Sequence, residues 1–464
     1  MLPSRKSPWL GRWIAALLIV LSPLVIPAAP AAAADDLVGT EVTFHNGAVP
    51  LHGTVLAPAA GGARRPGLVL IAGAGGVSRE SYRAEAEAFA RSGVVVLIYD
   101  KRSGYSRATS SFADLADDAI AGVRLLRARA DVQPSRVGVW GHSEGGWVAP
   151  LAAVRSPDVA FVITAGAGAL PSDRTQLWSN RTYLSHAGVT RSLLEPIGVN
   201  LSRMMVAAGL FGDTGHDPVA TLRQVRQPLL AVFAEHDRST VPGESVRLFR
   251  QALDEGGNRH YTLRVVPAAD HDLRHSTDGF VPVRPSGFAP GYLELVTSWI
   301  AALAGGAPRA SADAPPAQEL ASAPLRPPAW YETGGLQIAT VAVMLIAFLG
   351  YPAAGLFRRR GRTRPATGRW AGRVLAAGGL VCVLGTVTYL FSIVATGATT
   401  AGSTVLGRPL VWLLLQVLAV TVVAAGVRLA LRLRQAGGGV RRGLLLAGGL
   451  VFVPWAAYWG LFTP

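Results

Sequence analysis

The stretch Gly141-His142-Ser143-Glu144-Gly145-Gly146 offers a nucleophile. A serine hydroxyl is weak at neutral pH, so it needs a base and a third group to orient that base. Both occur downstream, in Glu235-His236-Asp237-Arg238 and in Ala269-Asp270-His271-Asp272. We assign Asp237 as the acid and His271 as the base, because each falls just past the carboxyl end of an apolar run, the edge of a parallel sheet where reacting groups gather. Glu235 is the rival acid but lies nearer its strand, and His275 is the rival base if the second loop is longer. His142 and His236 read as local packing or hydrogen-bonding partners, while Asp270 and Asp272 read as shaping the His271 loop. Leu70-Ile71-Ala72-Gly73-Ala74-Gly75-Gly76 lets backbone approach a substrate. The N–H groups of Ala74 and Glu144 are the expected pair of donors to a developing oxyanion. No Lys-Ser or Lys-Thr follows these glycines, which excludes a phosphate loop of the usual kind.

These residues need rigid elements behind them. An apolar strand over 135–140 runs straight into the Ser143 turn and then into a helix over 144–155, the context that a strained nucleophile turn requires. Gly141 and Gly145 supply room for close backbone neighbours. Further strands are expected at 51–56, 67–72, 93–99, 159–164, 228–234 and 260–266, with helices at 79–91 and 112–129. The alternation implies an α/β domain over 35–305 with a mostly parallel sheet and helices on both faces. Between about 172 and 222 the pattern turns irregular and helical, with Trp178, Tyr183, Met204, Met205 and Phe211 along it. It reads as an inserted helical cap, or else as ordinary helix packing against the sheet.

Half of the 464 residues are hydrophobic and only 16% are charged, so part of the chain belongs in lipid. The net charge of +15 is not spread evenly. Residues 35–305 carry 26 basic and 26 acidic side chains, whereas 306–464 carry 15 basic and 3 acidic. The surplus sits beside apolar segments, so a nucleic-acid partner has no support. Residues 1–34, with Arg5, Lys6 and Arg12 ahead of an apolar run and then Ala32-Ala33-Ala34, have the form of a signal peptide or an N-terminal anchor. An Ala- and Pro-rich linker covers 306–335, and four apolar segments of spanning length follow in 336–464, at about 336–357, 374–395, 409–430 and 444–462. Arginines crowd the first and third connections between them, from Arg358 to Arg373 and from Arg432 to Arg442. By the positive-inside rule those connections are cytoplasmic, which puts the α/β domain on the extracytoplasmic side of the cell membrane. Cys382, the one cysteine, falls inside an apolar segment and reads as a small buried hydrophobe.

Four segments, Gly73 to Gly76, Tyr99-Asp100-Lys101-Arg102-Ser103-Gly104-Tyr105-Ser106, Gly141 to Gly146, and Asp237 with His271, make residues 37–305 resemble the α/β-hydrolase superfamily, in particular its dienelactone-hydrolase-like and serine-aminopeptidase-like bacterial branches. The resemblance implies hydrolysis of an ester, thioester or amide through an acyl-enzyme, with no metal and no organic cofactor. It departs from the family pattern at Ala72, where His is frequent, and at Ser103, where Gly is usual. The expected partner is a small-molecule acyl substrate, a class that includes lipid-derived compounds. A carboxylic ester hydrolase is the leading reading. A serine peptidase would need an acidic pocket for a free amino terminus, with Glu144 the one carboxylate beside Ser143. A silent ligand-binding or transport protein is the alternative from another class, and the scarcity of ionisable residues within the spans argues against transport.

Overall fold

A computed structural model describes residues 36–190, 192–208, 213–283, 287–356, 369–396, 401–436 and 439–463. Residues 1–34, expected to be a signal peptide or an N-terminal anchor, and the arginines from 358 to 364 lie outside the described residues.

Nine strands form one sheet: β1 (Leu37–Asn46), β2 (Val49–Pro58), β3 (Arg65–Ile71), β4 (Val95–Tyr99), β5 (Val132–His142), β6 (Val162–Ala165), β7 (Leu229–Ala234), β8 (Tyr261–Val266) and β9 (Ser311–Ala312). Their order is β1-β2-β4-β3-β5-β6-β7-β8-β9. The β1–β2 hairpin joins antiparallel through β2 and β4, and every later pairing is parallel. The central strands are buried on both faces because helices cover both. These helices are α1 (Arg83–Arg91), α2 (Phe112–Arg127), α3 (Gly145–Arg155), then α4 (Ser172–His186), α5 (Ser202–Ala207), α6 (Pro218–Leu222), α7 (Pro242–Glu255) and α8 (Tyr292–Ala302). One apolar cluster packs β-residues such as Val69, Leu97 and Val139 against α2 and α3, and a second packs Leu68, Val96 and Trp140 against α1 and α8. α2 is fixed at its start by a capping box between Ser111 and Asp114, which satisfies orphan N–H groups of the first turn.

Four long helices complete the chain: α9 (Gly334–Leu356), α10 (Arg369–Ala395), α11 (Leu410–Ala436) and α12 (Val440–Tyr458). All four are long and apolar enough to cross a membrane. At 1.5 Å rise per residue they span about 28 to 40 Å, against a hydrocarbon core of about 30 Å. α10 and α11 each extend beyond the expected segments, one starting at Arg369 and the other running to Ala436.

Within the expected cap, α6 packs on the sheet's own cluster through Leu222 and Val219, whereas residues 184–201 do not pack as an ordinary sheet-covering layer. Their apolar side chains Leu184, Val189, Leu193, Ile197 and Leu201 share a buried cluster with Phe348, Leu375, Trp412 and Trp459 of the long helices and the turn after α12. Polar ties fix the junction. Gln416 Nε2 donates to Ser192 Oγ at 3.2 Å and to the carbonyl of Thr463 at 2.8 Å, and Asn200 Nδ2 donates to the carbonyl of Tyr458 at 2.9 Å. The Arg203 guanidinium, fully buried, pairs with the equally buried Glu332 and donates to the carbonyls of Arg326 and Pro327. Residues 306–329 are extended, as an Ala- and Pro-rich stretch should be, but they are fastened down. Ser311–Ala312 pairs with β8, Gln318 and Ser322 bond to Glu244, and Trp178 Nε1 donates to the carbonyl of Leu320 at 2.7 Å.

Removing one member of a fully buried ion pair strands the other in a low-dielectric site, at a cost of about 3–5 kcal/mol. Arg203→Ala should therefore lower the unfolding free energy of the detergent-solubilised full chain by an amount of that size, read from a denaturant titration followed by intrinsic tryptophan fluorescence.

Candidate active site

β5 carries its apolar run to His142 and the chain then reverses at Ser143, whose φ of 53° lies in the left-handed region. Such a conformation costs a non-glycine residue of order 1–3 kcal/mol and persists only where its surroundings over-determine it. They do so here. A Cβ at Gly141 would sit 1.9 Å from the carbonyl oxygen of Gly145, and one at Gly145 would sit 2.3 Å from that of Ile71. Gly146, which the sequence reading left without a role, admits the Ala167 methyl at a spacing where a Cβ would lie 2.4 Å away. Ser143 N–H donates to the carbonyl of Ala165 at 3.0 Å, which ties the turn to β6. Ala268 and Leu273, on either side of His271, also have positive φ, so backbone strain gathers at this one place.

The structure brings Ser143, His271 and Asp237 into one hydrogen-bonded line. His271 Nε2 lies 2.9 Å from Ser143 Oγ, and His271 Nδ1 lies 2.9 Å from Asp237 Oδ2. The Asp237 carboxylate, 1% exposed, also accepts from the N–H groups of Ser239 and Thr240 and from the Thr240 hydroxyl, at 2.7 to 2.8 Å. Burial alone would raise its pKa, but the facing imidazole and these donors outweigh burial and hold it below the ordinary carboxylate value. Burial would likewise push His271 down, yet the Asp237 carboxylate, its hydrogen bond, and then Asp272 and Asp270 raise the imidazole to about 9. Glu235 instead accepts from Ala268 N–H at 2.8 Å, and His275 pairs through its backbone with Ala269 and Gly287. Asp270 organises the His271 loop by accepting from the N–H groups of Asp272 and Arg274. Asp272 does not share that task; its exposed carboxylate faces His142 Nε2 at 3.5 Å.

The proton positions around the glycine loop follow from one fixed point. The His271 carbonyl can only accept, so His142 Nε2, 3.1 Å away, must carry hydrogen. Burial first, and the neighbouring His271 second, lower His142 to about 4, so its ring is neutral and Nδ1 is a bare acceptor. The Tyr82 hydroxyl, 3.1 Å from Nδ1, therefore donates to it, and the same oxygen accepts from Gly73 N–H at 2.8 Å. On the other flank Lys101 Nζ donates to Glu144 Oε1 at 2.7 Å and to the Gly73 carbonyl, while the Tyr105 hydroxyl donates to the Glu144 carboxylate and accepts from Gly75 N–H at 3.4 Å. Ala74 is thus clamped on both sides. Its N–H and that of Glu144 have no acceptor among the described residues.

Tyr82, Lys101 and Tyr105 were not among the expected site residues. Lys101 and Tyr105 lie in a quoted family segment, but nothing local in the sequence shows that they reach Glu144 some forty positions on. Glu144 itself, 3% exposed, is committed to these two side chains. A cavity of about 590 Å³ opens over Ser143, with Tyr82, Glu85, Trp140, Tyr183, Arg274 and Phe280 among its walls. Glu85 Oε2 in that wall is buried without a hydrogen-bond partner, and burial raises its pKa. His142, His271 and Asp272 are the group whose ligand-type atoms come close enough for a metal, but both imidazoles are committed to the bonds just described.

Residues 80–281 match the sequence profile of the prolyl oligopeptidase family. The chain has no significant match among curated proteins. Among solved structures it is similar to a dienelactone hydrolase from Anabaena variabilis, at 20% identity and TM-score 0.37 over 59% of this chain and 100% of that one. An esterase from Pyrococcus furiosus is similar at 18% identity and TM-score 0.37 over 50% and 84%. The acylaminoacyl peptidase of Pyrococcus horikoshii is similar at 14% identity and TM-score 0.42 over 60% of this chain and 43% of that one. The profile match spans the Ser143 turn and both partner loops, and the sheet is mostly parallel with helices on both faces. The chain is accordingly a hydrolase of the α/β-hydrolase superfamily, continued at its C-terminal side by four long apolar helices.

Proposed function

We propose that this chain is a membrane-anchored serine hydrolase with its reacting site on the extracytoplasmic side, cleaving carboxylic esters through an acyl-enzyme. The observation that carries the reading is the line from Ser143 Oγ through His271 to Asp237, two contacts of 2.9 Å with a consistent set of proton positions. In the neutral imidazole Nδ1–H donates to Asp237, which leaves Nε2 bare to accept the Ser143 proton as Oγ attacks the carbonyl carbon. The tetrahedral oxygen is held by the N–H groups of Ala74 and Glu144 at the start of α3, where the helix dipole adds a favourable field. Protonated His271 then gives its proton to the leaving alcohol. Water repeats the sequence and releases the acid.

An ester is favoured over a peptide because Glu144, the carboxylate next to Ser143 in the chain, is occupied by Lys101 and Tyr105. The peptidase reading keeps support from the prolyl oligopeptidase match and from the unpaired Glu85 Oε2 in the cavity wall. The orientation rests on the arginines that crowd the first and third connections, among them Arg432 and Arg434 in the last turns of α11 and Arg441 and Arg442 in the first turn of α12, at the end opposite the cap.

A membrane-impermeant fluorophosphonate should label the wild-type chain on intact cells and leave Ser143→Ala unlabelled; labelling only after lysis would reverse the orientation, and none in either state would remove the serine nucleophile. Because His271 must be neutral to act and Asp237 holds its proton until about pH 9, log kcat/KM for a soluble ester should climb with pH at unit slope and level off near that value. A plateau already reached by pH 6 would contradict the raised basicity. Tyr82→Phe removes the acceptor of Gly73 N–H and should lower kcat by about 10- to 100-fold, the scale of a small misplacement of reacting groups, with little change in KM. Steady-state kinetics read that split.

A further inference from the structure

The four helices do more than tether the α/β domain, because the cap carries one wall of the cavity down to their end. Tyr183 of α4 lines the cavity and packs against the cluster shared with the long helices. Its ring meets Phe280 edge-on with centroids 5.3 Å apart, and the His186 ring stacks on Phe280 at 3.5 Å and 12°. Two residues beyond His186, a Cβ at Gly188 would touch Thr404, and Thr190 N–H donates to the Gly407 carbonyl at 3.0 Å. Thr404–Val405 and Arg408–Pro409 form the hairpin leading into α11, and Leu406 at its tip is 88% exposed. His186, stacked on Phe280, is thus two residues along the chain from Gly188, which meets the hairpin at Thr404.

The segment holding Phe280 is apolar and bare. Val281 is 65% exposed and Val283 51%, while Phe280 and Pro282 line the cavity between them. Trp330 and Tyr331, just ahead of α9, are exposed aromatics of the kind that sit at a membrane–water boundary. The rest of the lining is mixed, with the apolar Val77, Trp140, Leu273 and Tyr292 and the charged Glu85, Arg274 and Asp270. Such a cavity has one side for a hydrocarbon chain and another for a polar group.

Resting on the ester-hydrolase reading above, we infer that Ser143 is loaded from the bilayer: Phe280–Val283 sits in the outer membrane interface, and an amphiphilic long-chain acyl ester passes along Phe280 and Tyr183 to the nucleophile. The bilayer is the occupant this surface fits because the helices that span it are packed into one cluster with the same cap that holds Phe280. The polar headgroup of the ester stays toward Glu85 and Arg274 while its chain follows the aromatic wall.

The test uses the full chain in phosphatidylcholine nanodiscs, with Val281→Cys labelled by bimane; Cys382 is buried and is replaced by Ala. Lipids brominated on their acyl chains should quench the bimane at least twofold relative to unbrominated lipids, and unchanged fluorescence overturns the inference whatever the enzyme's activity. In parallel, Val281→Asp combined with Val283→Asp should reduce turnover of a long-chain ester carried in the nanodisc at least tenfold, and of a soluble short-chain ester less than twofold. Equal effects on both substrates overturn the inference too. Failure of the wild type to hydrolyse either ester would count against the ester-hydrolase reading, and the quenching result would still decide the membrane contact.

Discussion

Between Gly141 and Gly145 there is no room for a side chain, and the left-handed turn at Ser143 exists because of that contact. The carbonyl of Gly145 presses on the Cα of Gly141, Gly145 presses on the end of β3, and Gly146 on Ala167 beyond β6. Three neighbouring strands and α3 thus converge on a single reversal of the chain. The rest of the site is arranged with respect to it: β3 delivers the glycine loop, β7 delivers Asp237, and β8 delivers His271, all at one edge of the sheet. The cost of the strained turn is met by packing that extends through the two main apolar clusters.

Charge around that turn is arranged in two separate circuits. One joins Ser143, His271 and Asp237, and its carboxylate stays ionised because hydrogen bonds and the imidazole overcome burial. The other joins Lys101, Glu144 and Tyr105, and no member of it touches the imidazole line directly. Tyr82 and the neutral His142 bridge between the glycine loop and the backbone of His271 without adding charge.

Much of this was legible in the sequence, for identifiable reasons. The central strands are continuous apolar runs because both faces are covered, and Ser143, Asp237 and His271 stand at the ends of such runs. β1 escaped because its exposed face carries Glu41, Thr43 and His45, and Thr40 interrupts the apolar pattern of the other; the hairpin signal Asn46-Gly47, with Gly47 at φ 57°, was there to be used. β9 escaped because two residues, Ser311 and Ala312, carry no periodicity. The Lys101–Glu144 and Arg203–Glu332 pairs join residues far apart in the chain, and no local pattern announces them. The cap's packing was equally hidden, since an apolar helical face looks the same whether a sheet or a set of long apolar helices will cover it.

The shared cluster between cap and long helices also sets an order of assembly. Residues 184–201 are synthesised well before Gly334, where the first long helix begins, so the apolar face of the cap emerges with nothing to cover it. The sheet can close around Ser143 in the meantime, because its own clusters are built entirely from residues up to 312. The Ser143 turn needs nothing from the four long helices, whereas the apolar face of the cap has its covering only once they are made, so the newborn chain depends on whatever shields that face during the interval.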